Sequence, residues 1–264
     1  MILYVLLLIF IVKIIIFLSK SKVNNFIQNI QNTHSTPKNL PFLYEWSIKI
    51  KPNSISDENR CTIWYNFFKI KPSFDFNSKL KTDEIKFVGF SISENYNKQK
   101  IYLHGNEQIY SFVYINRDIS KSKKITSSTT IDIYEQKYPD FSSDKYKIFP
   151  LQNIQKLCPI FTPIVITILN DHDFTLWIRK PYQKDEITQI CFQLNLLPEL
   201  EQIKKIMQSI SSLMNINTNW IHKYKKHKVM HISFSSEKSI PICNIYFQRK
   251  PNGYPLTIDE IREN

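Results

Sequence analysis

VMHISFSSEKSIPICNIYF, residues 229–247, decides the fold. Val229 to Phe234 and Ile242 to Gln248 are short runs rich in β-branched and aromatic side chains, and the polar stretch SSEKSIP separates them. Such side chains fit a pleated, half-buried surface, so the stretch reads as an antiparallel hairpin. FVGFSISENYNKQKIYLHG, residues 87–105, echoes it: apolar strand, Phe-Ser, a polar turn with Glu and Lys, then Ile-Tyr and an apolar residue. Two copies do not make a repeat architecture, which needs more units at a fixed period. They do set the style of the chain around them.

The same alternation recurs outward in both directions. Glu45 to Ile50 places Trp46, Ile48 and Ile50 on one face, and a polar turn over residues 51–60 leads to a second run, Cys61 to Phe68. Ile85 to Ile92 answers Lys100 to His104. Ile109 to Ile115 and Thr129 to Tyr134 flank a loop rich in Lys and Ser. Pro163 to Leu169 and Phe174 to Arg179 flank Asn170-Asp171-His172-Asp173, and Glu186 to Leu194 follows. About ten strands at this spacing predict an antiparallel sandwich or barrel. One long amphipathic helix is expected over Leu197–Met214, where Leu197, Leu200, Ile203, Met207, Ile210 and Met214 recur at helical steps. Asn195 is a suitable cap and Pro198 suits a first turn. A shorter helix is expected over Gln152–Leu157. The fold class is α+β and β-rich, one domain over residues 42–264 behind a polar linker, residues 19–41.

Residues 1–18, MILYVLLLIFIVKIIIFL, carry one charge, Lys13. As a helix the segment spans roughly 27 Å, near the hydrocarbon thickness of a bilayer. A cleaved signal peptide wants a basic start and small residues before the cut, and neither is present. The segment therefore reads as a single-pass transmembrane anchor. Lys20 and Lys22 at its carboxyl flank put the large domain on the cytoplasmic, stromal or matrix side. Membrane lipid is the first expected partner, through this helix, and a membrane-protein complex the second.

The chain has no Ala, only 3 Gly, and five Arg among 35 basic residues. Ile, Lys, Asn, Tyr and Phe have AT-rich codons, so the composition points to an AT-biased genome of an organelle (plastid or mitochondrion) or endosymbiont. The formal charge of +12 is therefore mostly lysine that codon usage supplies. Nucleic-acid readers favour Arg for bidentate contacts, and nucleic acid is not the expected partner. No N-x-[ST] sequon occurs, which argues against a glycosylated ectodomain.

The motif search chiefly excludes. Gly89, Gly105 and Gly253 are too scattered for a phosphate-binding or dinucleotide-binding loop. Neither G-x-S-x-G nor H-E-x-x-H occurs. Cys61, Cys158, Cys191 and Cys243 lack metal-ligand or redox spacing, and Cys191 and Cys243, in apolar runs, are expected as buried inert thiols. No cofactor and no metal are expected.

Three features remain. Asp171, His172 and Asp173 could form a polar loop site, although Asn and Asp are also ordinary turn formers. Lys223, Lys225, Lys226 and Lys228 could contact an anionic surface. His222, His227 and His231 lie among them, but four ammonium groups oppose a divalent cation, and a solvated strand entry is the simpler reading. Trp46, Trp64, Trp177 and Trp220 could line an apolar pocket or simply fill a core.

Catalytic residues are not assignable from this. The leading expectation is a non-catalytic, membrane-anchored interaction or assembly domain. The alternative is an apolar-ligand-binding barrel, or an enzyme acting on a membrane-derived substrate. A filled core favours the first; a sheet closed around an aromatic-lined cavity with converging polar groups favours the second.

Overall fold

The computed structural model describes residues 43–66, 85–93, 98–105, 108–115, 130–137 and 145–249. Ten strands run in chain order: β1 (Leu43–Lys51), β2 (Ser54–Asn66), β3 (Phe87–Ser93), β4 (Lys98–His104), β5 (Gln108–Ile115), β6 (Thr130–Lys137), β7 (Phe174–Pro181), β8 (Gln189–Leu194), β9 (Val229–Glu237) and β10 (Ile240–Arg249). Each pairs antiparallel with its sequence neighbour, and β1 closes on β10 through Trp46↔Phe247 and Ile48↔Ile245, giving a closed barrel. Closure leaves no sheet edge unpaired. Among the described residues four α-helices accompany the barrel: α1 (Lys145–Leu157), α2 (Thr162–Asp171), α3 (Lys204–Leu213) and α4 (Asn219–Tyr224).

Side chains alternate across each strand, so one phase fills the lumen and the other faces out. The apolar phase faces out. Trp46, Ile48 and Ile50 of β1, Ile190 and Phe192 of β8, Ile232 and Phe234 of β9, and Cys243, Ile245 and Phe247 of β10 are all buried. They join Ile154, Phe161, Ile164, Ile168, Met207 and Ile210 from the helical segments in one core. The main core therefore lies between barrel wall and helices, outside the lumen. The inner phase carries Glu45, Ser47, Thr62, Ser91, Lys100, Ser111, Asp132, Gln189 and Ser233, all buried.

Three expectations need correction, the first being the turn over residues 51–60, which is confined to Pro52 and Asn53 because β2 already begins at Ser54. Pro163–Leu169 is not a strand: it lies in α2, with Ile164, Val165, Ile168 and Leu169 buried and Ile166 exposed. Burial at i, i+1, i+4 and i+5 is a helical stripe, and tertiary packing overrides the β-branched composition. The helix expected over Leu197–Met214 begins only at Lys204. Leu197 sits at φ 45°. The N–H groups of Leu200 and Glu201 donate to the carbonyls of His227 and Lys225 at 3.0 and 3.1 Å, and so bind the chain to its neighbour before the helix starts. Its apolar stripe is buried as expected. The short helix expected near Gln152–Leu157 is the second half of α1, which holds Pro150 inside it.

The anchor expected over residues 1–18 and the linker over 19–41 lie outside the described residues. Among the described residues no helix is long and apolar enough to cross a membrane.

Candidate functional site

All ten strands contribute to one cavity of about 210 Å³ in the lumen. Leu43, Phe87, His104, Ile109, Gln193 and Met230, at or next to strand ends, mark the end of the barrel where it lies. Trp64 on β2 and Trp177 on β7 stand on opposite walls. Tyr102 lies 5.5 Å from Trp64, ring centre to ring centre, and His104 meets Trp64, Phe87 and Trp177 edge-on at 6.0, 5.9 and 5.8 Å. Gly89 makes this cage possible: a Cβ there would lie 2.8 Å from the Trp64 ring. Offset and edge-on aromatic contacts of this kind hold rings in fixed places.

Below the cage the lining turns polar. Glu45, Tyr102, Tyr134, Gln189, Cys191, His231 and Tyr246 face the cavity. The Arg60 guanidinium donates to the Tyr102 hydroxyl at 3.1 Å. Arg179 donates through Nε to Asp132 at 3.0 Å, and its guanidinium lies 5.9 Å from the Tyr134 ring centre. Gln189 donates to the Ser233 hydroxyl, and the Trp177 indole to Gln193 at 2.9 Å.

Burial tunes these groups. It raises the Glu45 carboxyl to about 7, against the opposing pull of Trp64, Thr62 and Arg60. It pushes His231 down to about 3, with His104 adding to the effect, so His231 is a neutral ring. It also lowers His104. The His104 Nδ1 lies 2.5 Å from the Gly105 carbonyl, which can only accept, so Nδ1 carries the proton and Nε2 is left as an acceptor. Burial pushes the Cys191 thiol well up, so it is not a thiolate near neutrality. Cys191 and Cys243 are both buried free thiols.

The structure separates the residues that the sequence singled out. Of the four tryptophans, Trp64 and Trp177 line the cavity, while Trp46 and Trp220 belong to the outer core. Of the three histidines, only His231 faces the lumen. His222 is exposed, and His227 packs against Trp46 and Phe247 on the outer wall. Among the described residues no three His, Cys, Asp or Glu side chains gather as a metal site requires. Asp171 ends α2, His172 caps it, and the Asp173 carbonyl accepts from the Asn195 N–H at 3.2 Å. Asp171 and Asp173 are exposed, so these three lie outside the cavity rather than in it.

The basic segment sits beside the cavity end. It leads into β9, whose second and third residues line the cavity, and the Val229 N–H donates to the Pro198 carbonyl at 2.9 Å. Lys225 and Lys226 are exposed, Lys228 pairs with Glu199 at 3.5 Å, and Lys223 stands 4.9 Å over the Tyr224 ring. The adjoining turn presents Leu196, 69% exposed.

Glu45, Arg60, Tyr102, His104, Tyr134, Gln189 and Tyr246 were not singled out by sequence. Their only signal is phase: they occupy the strand positions opposite the apolar stripe. The chain matches no protein-family model and no curated protein.

Proposed function

We propose that the domain is a membrane-tethered binding barrel that takes one small, largely apolar, ring-bearing ligand into its lumen. The observation that carries this is the sheet closed around a 210 Å³ cavity, aromatic at its end and polar at its floor. Ligand sites are typically concave and apolar with a few convergent polar groups. An apolar cavity of roughly 150 Å³ holds benzene, so this one suits a fused bicyclic ring. A suppressed Cys191 thiolate favours binding over thiol chemistry. An assembly domain needs no such space, since its barrel could be filled with side chains.

The test is titration of the full-length protein in nanodiscs with 2-naphthamide, read by quenching of tryptophan emission. Binding should saturate. Ile109→Trp, which places an indole in the cavity end, should weaken it at least roughly tenfold, a difference of about 1.4 kcal/mol, with the melting temperature little changed. Non-saturable quenching, or equal affinity in the variant, would return the assembly reading to first place.

The rim supports tethering at an anionic leaflet. Between Asn195 and Lys228 the chain holds six lysines against Glu199 and Glu201, with Leu196 projecting from the same region. Each lysine near an anionic surface contributes up to about 1 kcal/mol, screened beyond about 8 Å at physiological salt. Hydrogen exchange on the full chain should show residues 194–201 and 222–229 protected in anionic nanodiscs. That protection should fade with salt and when Lys223, Lys225, Lys226 and Lys228 are changed together to Gln. Identical exchange in neutral and anionic nanodiscs defeats this reading.

A further inference from the structure

We propose that the floor of the lumen is an anion site, and that the polar end of the ligand is a carboxylate. This rests on the ligand-binding reading above and adds the chemical class. Three phenols with a guanidinium behind them supply donors at the floor. Arg60 donates to the Tyr102 oxygen at 3.1 Å, which leaves the Tyr102 proton for another acceptor. Tyr134 and Tyr246 stand close enough to act on the same guanidinium. Burial raises both phenols, Tyr246 to about 12, so they are neutral O–H donors at physiological pH.

The charge balance points the same way. Asp132 is taken by Arg179. Among the described residues no carboxylate lies within 4.0 Å of the Arg60 guanidinium, and burial moves Glu45 toward its neutral form. Arg60 is part-buried, and a partly desolvated cation favours an anion beside it. Two hydroxyls beside these groups lack a partner. The Ser91 and Ser111 hydroxyls are buried with no protein acceptor or donor, and by register they face Lys100 and Tyr102 respectively. A carboxylate entering ring-last would meet the three phenol protons with Arg60 behind them, while its ring stays between Trp64 and Trp177. Charge-assisted bonds of this type are roughly twice as strong as neutral ones.

The experiment compares 2-naphthoate with 2-naphthamide, equal in shape and different in charge, on the full-length protein in neutral-lipid nanodiscs. Naphthoate should bind at least roughly tenfold more tightly. Arg60→Gln should bring the two within about twofold of each other, and Arg60→Lys should keep part of the preference. Tyr246→Phe removes one donor without burying a charge, and should weaken naphthoate several-fold while leaving naphthamide nearly unchanged. If Arg60→Gln does not fold, Tyr246→Phe decides. Equal affinities for the two probes in the parent protein would overturn the anion site and leave the ligand-binding reading standing, as would a preference untouched by Tyr246→Phe. Failure of both probes to bind would instead count against the ligand-binding reading itself.

Discussion

Phe234→Ala should destabilise the barrel by about 3–5 kcal/mol, whereas Gln193→Ala, on the lumen phase of the neighbouring strand, should cost well under about 1 kcal/mol. Phe234 is fully buried and sits between Phe161, at 4.7 Å between ring centres, and Phe192, at 6.2 Å. It faces outward, where β8 and β9 meet the helices. Truncation leaves a cavity in close-packed surroundings that relax only in part, so the transfer and cavity terms add. Gln193 borders a space that already exists, so its removal mainly loses one bond from the Trp177 indole. Thermal unfolding followed by circular dichroism separates the cases: the first loss should lower the melting temperature by roughly 10 °C in a domain of this size. A larger drop for Gln193→Ala than for Phe234→Ala would mean that the stabilising core is in the lumen after all.

That inside-out arrangement also explains what the sequence could and could not disclose. The alternation of Trp46, Ile48 and Ile50 against Glu45, Ser47 and Lys49 is plain in the sequence, and so are most of the hairpins. Alternation fixes two faces but not which face is the inner one. In a single sheet packed on helices, the phase of Glu45, Gln189, Gln193 and Ser233 would face solvent. Only closure of β1 on β10 turns it into a lumen, and closure depends on a pairing between strands about 200 residues apart, a non-local contact that no local pattern announces. The site was therefore legible as a polar phase and illegible as a site. The misread strand at Pro163–Leu169 has a local cause: a short apolar run of Ile, Val and Leu has no decisive period, and packing against the barrel wall selects the helix. The truncated start of α3 has another. Backbone bonds from Leu200 and Glu201 to the segment before β9 hold that chain out of a helix, although its apolar spacing would suit one.

Glu45→Gln should change the alkaline side of the pH dependence of stability more than any other single lumen substitution. The carboxyl is buried on β1 near Thr62, Trp64, Arg60 and Cys191, and burial raises it from 4.5 to about 7. A raised folded-state value means that the folded protein holds this proton more tightly than the unfolded chain does. Its stabilising effect is complete below the unfolded value of 4.5, fades as the pH climbs, and is lost above about 7. The size follows from the shift: about 3 kcal/mol for the parent protein between mildly acidic and mildly alkaline solution. His231 slopes the other way. Its folded value lies near 3 against an ordinary 6.5, so its contribution is present above 6.5 and is lost as the pH falls. The parent protein should thus be most stable between the two, and each substitution should remove one limb. Glu45→Gln should match the parent in denaturant melts near pH 5 and exceed it by about 3 kcal/mol near pH 8, with the acid limb intact. His231→Gln should spare the alkaline limb and flatten the acid one. Parallel pH profiles for the parent and Glu45→Gln would show that the carboxyl is ionised in the folded barrel, in contact with solvent or with a cation. The lumen floor would then already hold its own anion, and Arg60 would need no ligand to balance it.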